Sequence, residues 1–453
     1  MANAFFSDLL ATISERGRTL LRGAGPSDGK QDADGLIELC EALLSGRGEA
    51  SGTAMAREVL DQYHELDGEG QLSFFRALVR DFGPDREKLA EAIAVWQAQP
   101  GDGNGTLLHF ASEPRRQELI RRLNRAPGGT SELVSMRSDL LTLMDGHKDL
   151  AALDRDVVHL LGSWFNRGFL VLRRIDWSTP ANILEQIIRY EAVHEIRDWD
   201  DLRRRIDPAD RRCYAFFHPA LADAPLIFVE VALTETIPSA IAPLLAVDRE
   251  PVAIERARTA VFYSISNTQR GLGGISFGNF LIKQVVEELR RELPKLDTFV
   301  TLSPVPGFMP WLTEAKDVPL SDDDRALLKH LDEPTWFEDA HTTALLRPVL
   351  EPLAAYYFLK ARNSKGRIID SVARFHLGNG ARLERINWLG DLSARGLRES
   401  AGIMVNYLYR LDDIEENHEA YANEGEVVAS NAVRKLLKSD RRLLDMVVRP
   451  AAG

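Results

Sequence analysis

Over residues 1–170 apolar side chains recur every three or four positions, the period of an α-helix with one buried face. Leu36, Leu39, Leu43 and Leu44 form one such stripe and Leu89, Ile93 and Trp96 another. Phe5, Phe6, Leu9, Leu10, Ile13 and Leu20 repeat the spacing in Met1–Arg22. Breaks fall at Gly23–Gly35, Gln99–Gly105 and Ala126–Thr130, where Gly, Pro, Asp and Asn favour turns. The pattern predicts an all-helical domain over residues 1–170, serving as scaffold or oligomer interface. His64, His109, His147 and His159 share no spacing that would make them ligands.

Near Phe169 the pattern changes. Leu226–Leu233, Ala260–Ile265 and Asp297–Leu302 are apolar or β-branched runs of strand length. Between the last two lie a Gly-rich turn and a segment with Leu281, Val285 and Leu289 at i, i+4 and i+8, flanked by Ile282 and Val286. Strand, Gly-rich loop, helix, strand is a crossover unit, so residues 171–453 are predicted to form an α/β or α+β catalytic domain. Arg173–Arg205 is expected to open it with a helix. Ser178 or Thr179 would cap that helix, and Pro180 suits its first turn.

The chain's 453 residues allow two or three domains, and 45% apolar with 27% charged residues is ordinary globular composition. The charge balance, 56 − 68 = −12, argues against general nucleic-acid binding. An anionic substrate would therefore need a local positive site. Cys40 and Cys213 cannot build a disulfide framework and suit a reducing compartment. No Cys/His cluster offers a zinc site, and no run of about 20 apolar residues offers a membrane span. Asp8, Glu15 and Arg16 interrupt the first apolar stripe, unlike a secretion signal, and Arg449–Gly453 carries no peroxisomal tripeptide. A cytoplasmic protein is expected.

Three segments carry candidate chemistry. Gln269–Gly278 holds four glycines within eight residues ahead of a helix, which suits either a pyrophosphate cradle or a plain turn. Its spacing matches neither a dinucleotide fingerprint nor a P-loop. Gly274-Ile-Ser-Phe-Gly278 also has the form of a hydrolase nucleophile elbow, with Asp370 and His376 following in triad order. The polar, Gly-rich residues before Ser276 are unlike the strand an elbow requires. Ser303 precedes Pro304, which holds it extended at a strand end, in an active site or an ordinary turn. Val372–Trp388 reads as a hairpin around Gly378-Asn-Gly380, with His376 in its first strand. Such a lone histidine gains meaning only if the fold brings it to Ser303.

Together these segments resemble the malonyl-CoA decarboxylase family. The likeness rests on Phe262–Ser266, Gln269–Lys283, Leu302–Phe308, Phe375–Ala381, Arg385–Trp388, Asn406–Tyr409 and Ile183–His194. It implies a helical N-terminal domain followed by a GNAT-like acetyltransferase-type fold, an α+β arrangement. It also implies malonyl-CoA as substrate and acetyl-CoA and carbon dioxide as products. No cofactor or metal is expected, because no metal, haem or nicotinamide motif is present, and the amphipathic N-terminal helices, whose faces need burial, are expected to form a homo-oligomer. Carried onto this chain, the CoA loop is Gly273, Gly274, Ile275, Ser276, Phe277, Gly278 and Asn279, with Ile282 on the next helix. Ser303 and His376 become the catalytic pair, the histidine as proton donor and the serine as its acceptor partner, with Ser303 either orienting the imidazole or binding the substrate carboxylate. Ser371 stands where relatives often have proline. Tyr263 and Asn387 are further candidate donors to an enolate oxygen. An acyl-CoA acyltransferase and a non-catalytic acyl-CoA sensor are the competing readings.

Overall fold

The structure, a computed structural model, describes residues 33–45, 48–275, 281–314, 318 and 320–439. The stripe in Met1–Arg22 and the Arg449–Gly453 terminus lie outside them. Among the described residues no helix is long and apolar enough to cross a membrane.

The chain forms two compact units. One comprises Met1–Val171, Phe217–Ala224 and Gln269–Phe277; the other comprises Leu172–Phe216, Pro225–Thr268 and Gly278–Gly453. The first is helical. Its described α-helices are α1 Ala33–Leu44, α2 Glu49–Glu65, α3 Gly68–Asp81, α4 Arg86–Ala98, α5 Asp102–Ser112, α6 Arg115–Leu123, α7 Gly129–Met144 and α8 Ala151–Trp164. Leu36, Cys40 and Leu43 give α1 one buried face, and Val59, Leu60 and Tyr63 do the same for α2. The side chains of Asp67 and Asp85 cap α3 and α4, accepting first-turn amides that no helical carbonyl can reach. The α4–α5 pair is different. Its apolar stripe is not buried: Ile93 is 39% exposed, Trp96 36%, Leu107 55% and Phe110 66%.

The second unit is built on a mixed sheet. Its strands are β1 Val171–Ile175, β2 Arg211–Phe217, β3 Pro225–Thr234, β4 Thr259–Asn267, β5 Thr298–Thr301, β6 Ser303–Pro304, β7 Arg382–Asn387 and β8 Met404–Leu408. They run in the order β1-β2-β3-β4-β5-β8-β6, and β7 also pairs with β8. Strands β3 and β4 are antiparallel, whereas β4 and β5 are parallel. The parallel pair needs a crossover, and the predicted helix supplies it. Its helices begin with α9 Ala181–Tyr190, α10 Trp199–Ile206, α11 Ala242–Leu245 and α12 Leu281–Glu292. The last buries Leu281, Ile282, Val285, Val286 and Leu289 along one face. Val261, Tyr263, Val300, Leu302 and Met404 meet in the core beside the strands. The remaining helices are α13 Phe308–Glu314, α14 Asp322–Leu328, α15 Ala340–Leu359, α16 Ser371–Gly378, α17 Ala394–Ser400, α18 Ile414–Glu424 and α19 Asn431–Ser439.

Two sequence expectations need correction. Residues 173–205 form a strand and two helices rather than one helix. Ser178 and Thr179 do not cap α9. Instead the Asp176 carboxylate accepts from the Ser178 amide and hydroxyl, and the Thr179 hydroxyl accepts from the Asp176 amide. The hairpin at Gly378-Asn-Gly380 is a helix end. Asp370 caps α16 by accepting from the Ala373 amide at 2.7 Å. Gly380 takes φ +80°, its amide donates to Leu377 O, and the Ala381 amide donates to His376 O. That is a Schellman stop, in which Gly supplies the left-handed residue. The buried residues Ala373, His376 and Leu377 stand at i, i+3 and i+4, so the period here is helical and not alternating.

Candidate active site

Ser303 and His376 are 73 positions apart in sequence, yet Ser303 Oγ lies 3.2 Å from His376 Nε2. Strand β6 holds the serine through pairing of Ser303 with Val405 of β8. Helix α16 holds the histidine in its last turn, where the Gly380 stop fixes the backbone. Both side chains are buried.

The surrounding hydrogen bonds assign the protons. The Ser303 hydroxyl donates to Thr301 Oγ1 at 2.9 Å, and the Tyr407 amide donates to the same oxygen at 3.1 Å. With its proton directed at Thr301, Ser303 Oγ presents lone pairs to the imidazole, so Nε2 carries the hydrogen. Nδ1 is then the acceptor, and the Tyr409 hydroxyl lies 2.8 Å from it. The ring is clamped on its face as well: Tyr407 stacks on it with centroids 4.6 Å apart and planes at 24°. Burial pushes the His376 pKa down to about 3, because an imidazolium here would lose its hydration. Burial also raises the Tyr409 pKa well above its ordinary value. The pair is therefore neutral in the free protein.

Ser303 and His376 open on a cavity of about 220 Å³. Val193, Ile227, Phe262, Tyr263, Ser264, Asn267, Pro304, Ser371, Val372 and Phe375 contribute to its lining. No lysine or arginine is among the described lining residues, although the anionic-substrate reading called for a positive site. The Ile183–His194 stretch shapes one wall. Glu191 accepts from the Val193 and His194 amides at 2.8 Å each. The Ser264 hydroxyl of β4 donates to the same carboxylate at 2.7 Å. Glu191 thus ties the Val193 loop to the sheet.

Other candidate residues are placed differently. Asn387 donates to Asn406 Oδ1 at 2.9 Å and accepts from Arg385 Nε at 2.7 Å. It belongs to a buried network and does not line the cavity. Asp370 is occupied as the α16 cap, with Tyr357 Oη 3.5 Å from its other oxygen. Both imidazole nitrogens have other partners, so Asp370 is not the acid of a hydrolase triad. Ser276, Phe277, Gly278 and Asn279 lie outside the described residues. Gly273, Gly274 and Ile275 lie in the segment that groups with the helical unit. Gly274 has φ +77°, and a Cβ there would meet nothing within 4 Å. Ile282 is buried on the packed face of α12. Sequence reasoning gave no role to Tyr409, Thr301 or Glu191. The signal for Tyr409 was its separation of two from Tyr407, which lets both reach one ring.

Two family models and several relatives match the chain. The family model for the malonyl-CoA decarboxylase C-terminal domain matches residues 168–446, and that for the N-terminal domain matches residues 82–165. The crystal structure of malonyl-CoA decarboxylase from Rhodopseudomonas palustris is 60% identical, covers 89% of this chain and 99% of that one, and superposes with a TM-score of 0.87. The enzyme from Agrobacterium vitis is 56% identical over the same shares, with a TM-score of 0.85. The mitochondrial malonyl-CoA decarboxylase of Anser anser anser is 36% identical across 92% of this chain and 93% of its own length. With both halves matched, and with relatives covered almost end to end, the chain belongs to the malonyl-CoA decarboxylase family.

Proposed function

We propose that this protein converts malonyl-CoA to acetyl-CoA and carbon dioxide in the Ser303–His376 cavity. The observation that carries the reading is the oriented chain Tyr409–His376–Ser303–Thr301, with a proton held at His376 Nε2. The bond between the α-carbon and the carboxylate breaks, carbon dioxide leaves, and the electron pair passes into the thioester carbonyl as an enolate. With the substrate bound, His376 takes up a proton from solvent, delivers one from Nε2 to the α-carbon and returns to its neutral form, so one proton is consumed per turnover. The imidazole is neutral in the free protein. The bound carboxylate is the negative charge that raises its proton affinity. The described lining residues carry no lysine or arginine, and this helps, because an ion pair would stabilise the carboxylate that must be lost. Ser303, held by Thr301, orients the imidazole.

The CoA pyrophosphate is assigned to the amides of Gly273–Asn279. The left-handed Gly274, with open space on its Cα, supports this part of the reading. The catalytic domain is taken as residues 171–453. Self-association is assigned to the helical domain, residues 1–170, through the exposed apolar face of α4 and α5. Light scattering on a Trp96→Glu, Phe110→Glu double variant tests that assignment, and an unchanged mass would refute it.

The test of function is incubation with malonyl-CoA alone. Release of acetyl-CoA and carbon dioxide without an acceptor is expected. Turnover only with an added acceptor would favour an acyltransferase, and bound but unchanged ligand would favour a sensor.

A further inference from the structure

Arg137 of α7 is a buried cation that the proposed chemistry does not use. Its side chain is 3% exposed, and Nε pairs with Asp154 of α8 at 2.8 Å. Its Nη1 donates to two backbone carbonyls of the Gly-rich loop, Gly271 O at 2.6 Å and Gly273 O at 2.9 Å. The loop lies tight against α7 at the same place: a Cβ on Gly271 would fall 1.8 Å from Val134 O, one helical turn before Arg137. Leu272 and Ile275 are buried beside it.

The consequence follows from peptide geometry. In a trans peptide the N–H points opposite to the C=O of the same plane. Drawing Gly273 O onto Arg137 therefore turns the Gly274 N–H to the far side of the loop. A Cβ on Gly274 would meet nothing within 4 Å among the described residues, so the Cα beside that amide is uncovered by them. Among the described residues no hydrogen bond engages this amide. The neighbouring Gly273 and Ile275 amides, in contrast, close turns onto Arg270 O and Leu272 O. Asp154 neutralises the guanidinium, so Arg137 contributes orientation rather than field. A planar fork holds two carbonyls at once, which a lysine ammonium cannot reproduce.

We infer that Arg137 is a positioning residue for the pyrophosphate of the acyl-CoA, acting through the Gly271 and Gly273 carbonyls to hold the Gly274 amide ready. This rests on the assignment of the Gly-rich loop to the pyrophosphate. It makes a residue of the helical unit specific for the CoA part of the substrate and indifferent to the acyl chemistry.

Two substrates separate this role from a structural one: malonyl-CoA, and malonyl-N-acetylcysteamine, which keeps the malonyl thioester but lacks the pyrophosphate. Arg137→Lys, which retains a charge opposite Asp154, and Arg137→Ala are measured beside Gly274→Asn. Asparagine tolerates the left-handed backbone while filling the space before the amide. Each Arg137 variant is expected to lose about tenfold more kcat/KM toward malonyl-CoA than toward the short thioester, mostly in KM, as for one lost hydrogen-bonding group. Equal losses on the two thioesters, or no loss in a variant that melts like wild type, would overturn the inference. If Gly274→Asn discriminates between the thioesters and the Arg137 variants do not, the clamp alone is wrong. If Gly274→Asn also treats them alike, the pyrophosphate assignment has failed and the clamp falls with it.

Discussion

The Tyr409 hydroxyl lies 2.8 Å from His376 Nδ1, on the side of the ring away from Ser303. A phenol in this position donates to Nδ1 and so fixes the hydrogen on Nε2, the nitrogen facing the cavity. Tyr409→Phe removes that donor and leaves the ring's packing. It should lower kcat by about tenfold, the rate equivalent of one hydrogen bond worth about 1.4 kcal/mol, with little change in KM. Steady-state kinetics check this. An unchanged kcat would mean that the ring is held by Tyr407 stacking alone.

Protonation of His376 gives a second expectation. Its pKa falls to about 3 in the folded protein, from an ordinary value of 6.5. A histidine depressed on folding binds fewer protons native than unfolded. Its contribution to stability is thus fully present above pH 6.5 and is lost as pH drops toward about 3. In His376→Gln the fall in unfolding free energy below pH 6, from urea titrations, should be shallower by about 1.4 kcal/mol per pH unit, the value of one proton. Nitrogen-15 spectra of the free protein should show a neutral, Nε2-protonated ring from pH 5 to 8. An imidazolium in that range would contradict the assignment.

Gly380 is the residue on which the histidine's backbone position depends. It has φ +80°, and a Cβ there would lie 2.1 Å from Ile414 O. Gly380→Ala meets both the left-handed penalty of roughly 1–2 kcal/mol and a backbone clash. The variant should melt well below wild type, and any folded fraction should turn over more slowly because the Ala381–His376 hydrogen bond shifts. Differential scanning calorimetry with activity on the same sample tests both. Wild-type melting would show that the helix end tolerates rearrangement.

The parts legible in the sequence were those with one dominant period. Strands β3 and β4 are apolar runs buried along nearly their whole length, and α12 carries an unbroken stripe from Leu281 to Leu289. Around His376 two readings competed. Apolar positions on either side of a Gly-Asn-Gly suggested a hairpin, but Asp370 as N-cap and Gly380 as left-handed stop were local helix signals of equal weight. The Ser303–His376 pairing was supplied by family resemblance, since no spacing in the chain reports a contact across 73 positions. Arg137 could not have been found from pattern at all. Its partners in the loop are backbone carbonyls, which leave no trace in side-chain identity. The α4 stripe was visible as a helix signal, but periodicity marks an apolar face without saying what covers it.

The catalytic pair itself gives the last expectation. If His376 delivers the proton, His376→Ala should lower kcat by about 10²–10⁴-fold, the range for a general acid. Ser303→Ala should also be severe, for a reason the structure makes specific. Without Oγ the Nε2 hydrogen has no acceptor, the Thr301 hydroxyl loses its donor, and the imidazole is no longer aimed at the cavity. The two losses should not add. Each substitution disables the same unit, so the double variant should resemble the worse single one. A supporting role in the fold predicts something else: both residues are buried, and activity would then fall in proportion to stability. Melting temperature and single-turnover rate on the three variants decide between these outcomes. Native-like melting with lost chemistry is the expected result, and additive losses would mean that Ser303 and His376 act at separate steps.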